Sequence, residues 1–131
     1  VVMHPDAPLA KKEAVTAQDL KKVPLILPRR LNVQSELASW FGGDLDRLNV
    51  LFTSNLPSNS NIMVHNQLAY SLEIKGSVSF WDREKVTYRP LSPALQTSSL
   101  LAWRRQQPFG VAATKFIEYT KMFLKQESHQ G

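Results

Sequence analysis

Short apolar runs separated by helix-like segments make up most of this sequence. Several of the runs stop directly before a Pro or a Ser, which is typical of strands that end at turns. The runs predict six strands. These are residues 1–3, 23–27, 48–53, 68–72, 86–89 and 98–104.

A helix is predicted after the second strand, because four apolar residues fall on one helical face. Asn32 is the expected N-cap of this helix. Gly42 and Gly43 supply a left-handed stop, a conformation that glycine adopts without a Cβ clash. The apolar face consists of Val33, Leu37, Trp40 and Phe41.

Three further helical segments follow from capping and spacing signals. Thr16 and Asp19 form a capping arrangement for one short turn. Ser58 with Asn61 is expected to cap a helix that runs towards residue 66. Pro108 opens the most regular helix of the chain. Its apolar positions, at three- and four-residue steps, are Phe109, Ala112, Phe116, Tyr119, Phe123 and Leu124.

The order of these elements predicts an α/β fold with parallel strand pairing. Two connectors that contain prolines, residues 4–8 and 90–93, bracket one α/β unit. Residues 76–85 fit an irregular loop between two strands. The sequence therefore predicts one unit with a strand and a helix beyond its second connector.

The composition fits one globular domain and removes several classes of protein. The chain has 131 residues, of which 43% are hydrophobic and 21% charged, as in ordinary globular proteins. It has no cysteine, so disulfide scaffolds and cysteine nucleophiles are excluded. No apolar stretch reaches the ~18 residues that a membrane helix needs. Val1 in place of an initiator Met favours a piece of a longer protein.

A surplus of basic residues gives a formal net charge of +5 and an isoelectric point near 9.7. This balance permits an anionic partner. The basic residues lie mainly in separated pairs, without a zinc-finger, RNP or basic-heptad motif. A solvated basic surface is therefore favoured, and direct contact of this chain with DNA is the lesser alternative.

No catalytic or metal-binding pattern stands out. His4, His65 and His129 lack the spacing of a metal site. Asp44 and Asp46 fit a helix-ending loop better than a pair of catalytic carboxylates, and no serine lies in a nucleophile-elbow pattern. The sequence predicts no enzyme, no metal site and no cofactor.

A series of segments in a fixed order carries a family resemblance. HPDAPLAKKEAVTAQDL is followed by PLILP, LNVLFTSN, LAYSLEIKGSV, YRPLSPALQTSSLLAWRR and FIEY. Their order and spacing resemble the effector-binding domain of LysR-type transcriptional regulators over nearly the whole chain. The resemblance implies a periplasmic-binding-protein-like (type 2) α/β effector domain that is partial, with one complete lobe plus the last strand and helix of the other.

The resemblance also implies that the chain consists of three parts. Residues 1–14 would be the end of a first-lobe strand and the crossover, residues 15–90 the second lobe, and residues 91–131 the return crossover, strand and closing helix. The family commonly has a glycine-rich turn where this chain has Gln67 and Ala69. Either Gln67 adopts a left-handed backbone, at a cost of about 1–2 kcal/mol, or the turn differs.

A ligand site is expected beyond the carboxyl ends of the strands, beside helix N-termini. In the resembled family, the stretches after the first two lobe strands face the cleft between the lobes. Arg29 could form a forked contact with a carboxylate, and the helix start near Ser58 favours an anion. The alternative is that Ser58 only caps its helix and Arg29 is an ordinary surface residue. The expected ligand-binding residues are Pro28, Arg29, Ser54, Asn55, Pro57, Ser58 and Asn59.

The resemblance implies a fragment of a cytoplasmic transcriptional regulator that senses a small anionic inducer. DNA would be bound only by an N-terminal domain missing from this chain, and no membrane contact is expected. The apolar stripe of the last helix predicts a homo-oligomer. One alternative is a fragment of a periplasmic solute-binding protein, which shares the two-lobe plan. Another is a small α/β hydrolase or transferase.

Overall fold

The computed structural model of the chain describes residues 1–43, 45–77, 82, 84–97, 101–104 and 108–127. Asp44 and His129 lie outside these residues, as do parts of the predicted loop 76–85 and of the predicted strand 98–104. The chain divides into two units, Val1–Ser98 and Ser99–Gly131.

Within the described residues of the first unit, seven short strands form two sheets. They are β1 (Val2–Met3), β2 (Val15–Thr16), β3 (Leu25–Pro28), β4 (Val50–Ser54), β5 (Tyr70–Ser71), β6 (Thr87–Tyr88) and β7 (Leu91–Ser92). The larger sheet has the order β4-β3-β5-β1-β6. The smaller sheet pairs β2 with β7 in parallel, a pairing that the sequence patterns do not reveal, because both strands are only two residues long.

The α/β class is confirmed, but the larger sheet is mixed. β3 is parallel to both β4 and β5, as predicted. β1 is antiparallel to β5 and to β6, so the prediction of parallel pairing is wrong for these strands. Apolar periodicity indicates that a strand exists, whereas its direction depends on which strands become its neighbours.

Among the described helices, α1 begins where its capping signal indicates, whereas α2 and α3 begin earlier and α4 begins later than predicted. They are α1 (Ala17–Leu20), α2 (Leu31–Phe41), α3 (Pro57–His65) and α4 (Val111–Glu127), with 3₁₀ turns at Pro8–Lys11 and Leu45–Arg47. The predicted capping box of α1 is confirmed, since the Asp19 N–H donates to Thr16 Oγ1 and the Thr16 N–H donates to Asp19 Oδ2.

The predicted N-caps of α2 and α3 are wrong. Asn32 lies inside α2 and Ser58 inside α3, and the capping positions are taken by Arg30 and Leu56. Because β3 and β4 continue to Pro28 and Ser54, each helix starts soon after its strand ends.

The larger apolar cluster of the first unit includes Leu25 and Leu27 of β3 together with Leu37 and Phe41 of α2. Leu25, Ile26 and Leu27 of β3 are all buried. The predicted apolar face of α2 is confirmed, with Leu37 and Phe41 buried and the other two members packed against the same cluster. α2 ends at Gly42, whose φ of 80° is the predicted left-handed stop.

A left-handed residue also follows α3. Gln67 has a φ of 59°, and its N–H donates to the Val64 carbonyl at 3.0 Å. Gln67 therefore adopts the left-handed backbone, which is the first of the two alternatives given for this turn.

The second unit contains α4, which starts at Val111 and thus three residues after the predicted Pro108. Lys115 and Glu118 form an ion pair on its surface at 2.8 Å. The strand predicted at residues 98–104 is wrong over residues 101–104, which have no regular secondary structure. A short apolar run forms a strand only when a neighbouring strand supplies hydrogen bonds to its backbone.

Candidate functional site

The predicted site residues meet where β3 and β4 end. Pro28 and Ser54 are paired in register across these parallel strands. The Arg29 N–H extends the pairing by donating to the Ser54 carbonyl at 3.2 Å. The two stretches that the sequence indicates are thus brought together. We call this region, which comprises Pro28, Arg29, Ser54 and Asn55, the carboxyl edge.

Two helices start at the carboxyl edge, and neither has a side-chain cap. Arg30 precedes α2 and Leu56 precedes α3, and no side chain of either residue bonds the first turn. Neither first turn contains an acidic residue. The helix dipole therefore favours an anion at both helix starts. In the first turn of α3 only the Ser58 N–H could contact it, because Pro57 has no N–H and the Asn59 and Ser60 N–H groups donate to the Leu56 carbonyl.

Polar side chains from both elements fix the shape of this edge. The Ser54 hydroxyl donates to the Leu56 carbonyl at 3.2 Å and accepts from the Leu56 N–H at 3.1 Å. Gln34 of α2 donates from Nε2 to the Pro28 carbonyl at 3.0 Å. Pro57, the first residue of α3, has a φ that suits a helix start. The edge is therefore held by both strand pairing and side-chain bonds.

The charged groups at the edge are cationic and accessible. Arg29 and Arg30 are exposed, and within the described part of the chain neither takes part in an ion pair. Ser58 and Asn59, in the first turn of α3, are also exposed. A guanidinium beside two helix starts is chemically suited to a carboxylate.

A buried polar cluster beside this edge was not predicted from the sequence. Glu73 follows β5, and its Oε2 accepts a hydrogen bond from Ser77 Oγ at 2.7 Å. Burial raises the pKa of Glu73, while the Ser77 and Ser71 hydroxyls lower it. Asn61 of α3 is completely buried in the same neighbourhood. A signal was present, because helical spacing places Asn61 on the same face as the apolar Val64.

Other polar groups do not form a comparable site. The rings of His4 and His65 stack with centroids 6.2 Å apart. Across the described residues, no three His, Asp or Glu side chains are grouped so as to hold a metal ion. None of the described helices is long and apolar enough to cross a membrane.

Comparison with known proteins decides the family. Residues 1–125 match the family model of the LysR substrate binding domain. The chain belongs to this family. No curated protein is significantly similar to it in sequence. The LysR resemblance of the sequence segments is thereby confirmed.

Two solved structures show how much of the LysR fold the chain contains. HinK, a LysR family transcriptional regulator from Pseudomonas aeruginosa, is similar with a TM-score of 0.70 and 23% identity. A PA01 protein of the same organism, also assigned to the LysR family, gives the same values. Both matches cover 94% of this chain and 43% of the other. The predicted LysR effector-domain fold is confirmed, and the chain spans less than half the length of these relatives.

Proposed function

We propose that this chain is the ligand-sensing part of a LysR-type transcriptional regulator and that it binds a small anionic inducer at the carboxyl edge. The observation that carries the proposal is the meeting of two strand ends and two uncapped helix starts beside Arg29. Membership of the LysR substrate binding domain family supports it.

In this proposal, the Arg29 guanidinium forms two parallel hydrogen bonds with a carboxylate of the inducer. The first turn of α3 contributes the Ser58 N–H, and the Ser58 hydroxyl donates a further bond. The other members of the site orient the inducer by contact. They are Pro28, Ser54, Asn55, Pro57 and Asn59.

The wider proposal concerns the protein to which this activity belongs. Residues 1–14 are the end of a first-lobe strand and the crossover, and residues 15–90 are the second lobe. Residues 91–131 are the return crossover, strand and closing helix of the first lobe. Inducer binding changes the relative populations of lobe and subunit arrangements. A separate N-terminal domain binds DNA, and the protein acts in the cytoplasm as a homo-oligomer without enzymatic activity. No finding favours the alternative of a periplasmic solute-binding protein.

The proposal is tested by isothermal titration of the chain with benzoate, succinate and citrate as probe carboxylates. We expect at least one to bind. The double variant Arg29→Ala, Ser58→Ala should then weaken binding by about tenfold or more, because it removes a charge-assisted hydrogen bond and a hydroxyl donor.

The matched control is the double variant Arg47→Ala, Ser39→Ala. These residues are also exposed, but they lie in the second 3₁₀ turn and in the last turns of α2. The control should bind the probe as the unmodified chain does. Equal affinity in both double variants, or equal losses, would rule out the carboxyl edge as the binding site.

A further inference from the structure

The Arg89 side chain binds the backbone of a segment that is distant in sequence. Its Nε donates to the Lys12 carbonyl at 2.7 Å, and its Nη2 donates to the Ala10 carbonyl. Its Nη1 donates to the neighbouring Tyr88 carbonyl at 2.7 Å. One guanidinium therefore joins two parts of the chain, which we call the entry segment (residues 8–16) and the return segment (residues 87–92).

The two carbonyls of the entry segment lie at the end of the 3₁₀ turn Pro8–Lys11. Ala10 belongs to this turn and Lys12 directly follows it. Carbonyls at the end of a helical turn lack partners inside it, and Arg side chains can bind them. Short 3₁₀ turns also have poorer hydrogen-bond geometry than α-helices. Arg89 therefore supplies bonds that this turn cannot make by itself.

Backbone pairing joins the same two segments next to this turn. The Val15 N–H donates to the Pro90 carbonyl at 2.9 Å, and β2 is parallel to β7 with Val15 opposite Leu91. These two strands form a separate two-stranded sheet, and such a sheet alone is marginally stable at best in water. The pairing therefore depends on contacts beside it, and the Arg89 bonds are among them.

We propose that Arg89 locks the entry and return segments into one cooperative unit, so that neither segment opens without the other. The guanidinium holds its N–H donors in a rigid plane, and it binds carbonyls of both segments at the same time. Opening of either segment breaks the charge-assisted bonds that cross between them. This shared loss couples the opening of one segment to the opening of the other.

The clamp has a consequence for the two proposed lobes. In the proposed lobe assignment, the entry and return segments belong to the two crossings between the lobes, so the clamp makes these crossings bend together. That consequence rests on the proposed function. The clamp itself does not, because its bonds lie within the described residues of this chain.

The test is native-state amide hydrogen exchange, measured by NMR at increasing urea concentrations below the unfolding midpoint and without added ligand. The N–H groups of Ala10, Lys12 and Arg89 are each bonded to a backbone carbonyl. We expect them to share one opening free energy and one urea dependence, as in a cooperative unit. The Leu25 N–H donates to the Asn49 carbonyl at 2.8 Å in the larger sheet. It should have a higher opening free energy, which separates the shared opening from global unfolding.

Substitution of Arg89 should separate the two segments. In Arg89→Ala, exchange of the Ala10 and Lys12 N–H groups should become faster by about tenfold or more, because the turn loses charge-assisted bonds. The opening free energy at residue 89 should then differ from theirs. Arg89→Lys should show the same separation, since an ammonium lacks the planar fork that reaches several carbonyls at once. Arg47→Ala is the matched control. Arg47 is exposed in the second 3₁₀ turn, so this variant should keep one shared value.

Three outcomes would overturn the proposal. The first is a different opening free energy for each segment in the unmodified chain. The second is a shared value equal to that of Leu25. The third is a value that remains shared in either Arg89 variant. None of these outcomes depends on inducer binding, so the proposed function is tested separately.

Discussion

α2 and α3 start at the same edge of the sheet but are held there in different ways. α2 buries Leu37 and Phe41. α3 buries Ser60 and Asn61 beside the apolar Val64. Apolar packing is non-directional, whereas hydrogen bonds depend on distance and angle. α2 therefore packs through large apolar side chains, whereas α3 packs through one apolar residue, Val64, which clusters with Val2 and Val86, and through two small polar side chains.

The two helices also differ in how they end. The chain leaves α2 through Gly42 and passes through a left-handed Gln67 after α3. The Gln67 side chain lies 3.3 Å from His4 Nδ1, which offsets part of the backbone cost. The end of α2 is thus relaxed, while the end of α3 is held in a less favourable conformation. The backbone strain therefore follows α3, the more polar of the two helices.

The largest expected effect is a loss of stability when the buried apolar face of α2 is changed. Leu37→Ala should lower the free energy of unfolding by about 2–5 kcal/mol, because it removes a buried side chain and leaves a cavity. Urea denaturation measures the change. Leu31→Ala in the first turn of the same helix is the control, since Leu31 is 80% exposed, and it should change stability by less than about 0.5 kcal/mol. Similar losses in both variants would show that α2 is not held by its buried face.

The next effect concerns the end of α3. Gln67→Gly should stabilise the protein by about 1 kcal/mol, because glycine adopts a positive φ without strain. Gln18→Gly is the matched control. Gln18 is exposed within α1, where glycine should destabilise by about 1 kcal/mol. The thermal unfolding temperatures of the two variants should therefore shift in opposite directions. A decrease in both variants would contradict the proposed strain at Gln67.

The smallest effect concerns α1, which has the side-chain cap that α2 and α3 lack. Hydrogen bonds from Lys12 and from Thr16 lower the pKa of Asp19 from 3.8 to about 2. Since the pKa is lower in the folded state, the contribution of Asp19 to stability is present above pH 3.8 and is lost as the pH falls towards 2. An NMR titration of the carboxyl measures this pKa. Lys12→Ala should raise it and the neighbouring Lys11→Ala should not. An unchanged pKa in Lys12→Ala would contradict the assignment.

The sequence predicts α2 better than α3 for a physical reason. A stripe of apolar residues indicates a buried helix face directly, so the burial of Leu37 and Phe41 could be predicted from their spacing. Asn61 gives a weaker signal. Its three-residue spacing from Val64 places it on the buried face, but an Asn near a helix start is usually a cap or a surface residue. Its burial depends on the arrangement of β1 and β5 beneath it, which local patterns do not contain.

The candidate site was also predictable from the sequence only in part. The meeting of Arg29 with Ser54 follows from the rule that parallel strands end at one edge. The exact helix starts do not follow, because they depend on where each strand stops. For the same reason Asn32 and Ser58 are not caps. Glu73 could not be placed beside Asn61 without knowing that β5 neighbours β3 and β1.

The pairing of β1 with β6 sets the order in which the first unit can fold. Val2 lies opposite Tyr88, and the Arg89 N–H donates to the Val1 carbonyl, so the sheet joins segments that are far apart in the chain. Contacts of this kind slow folding, because a long loop must close before they form. During synthesis, at roughly 5–20 residues per second, β1 must wait for β6 to emerge from the ribosome. Until then the backbone groups of β1 on that side have no strand to pair with, and an unpaired strand edge is a site at which other chains can add.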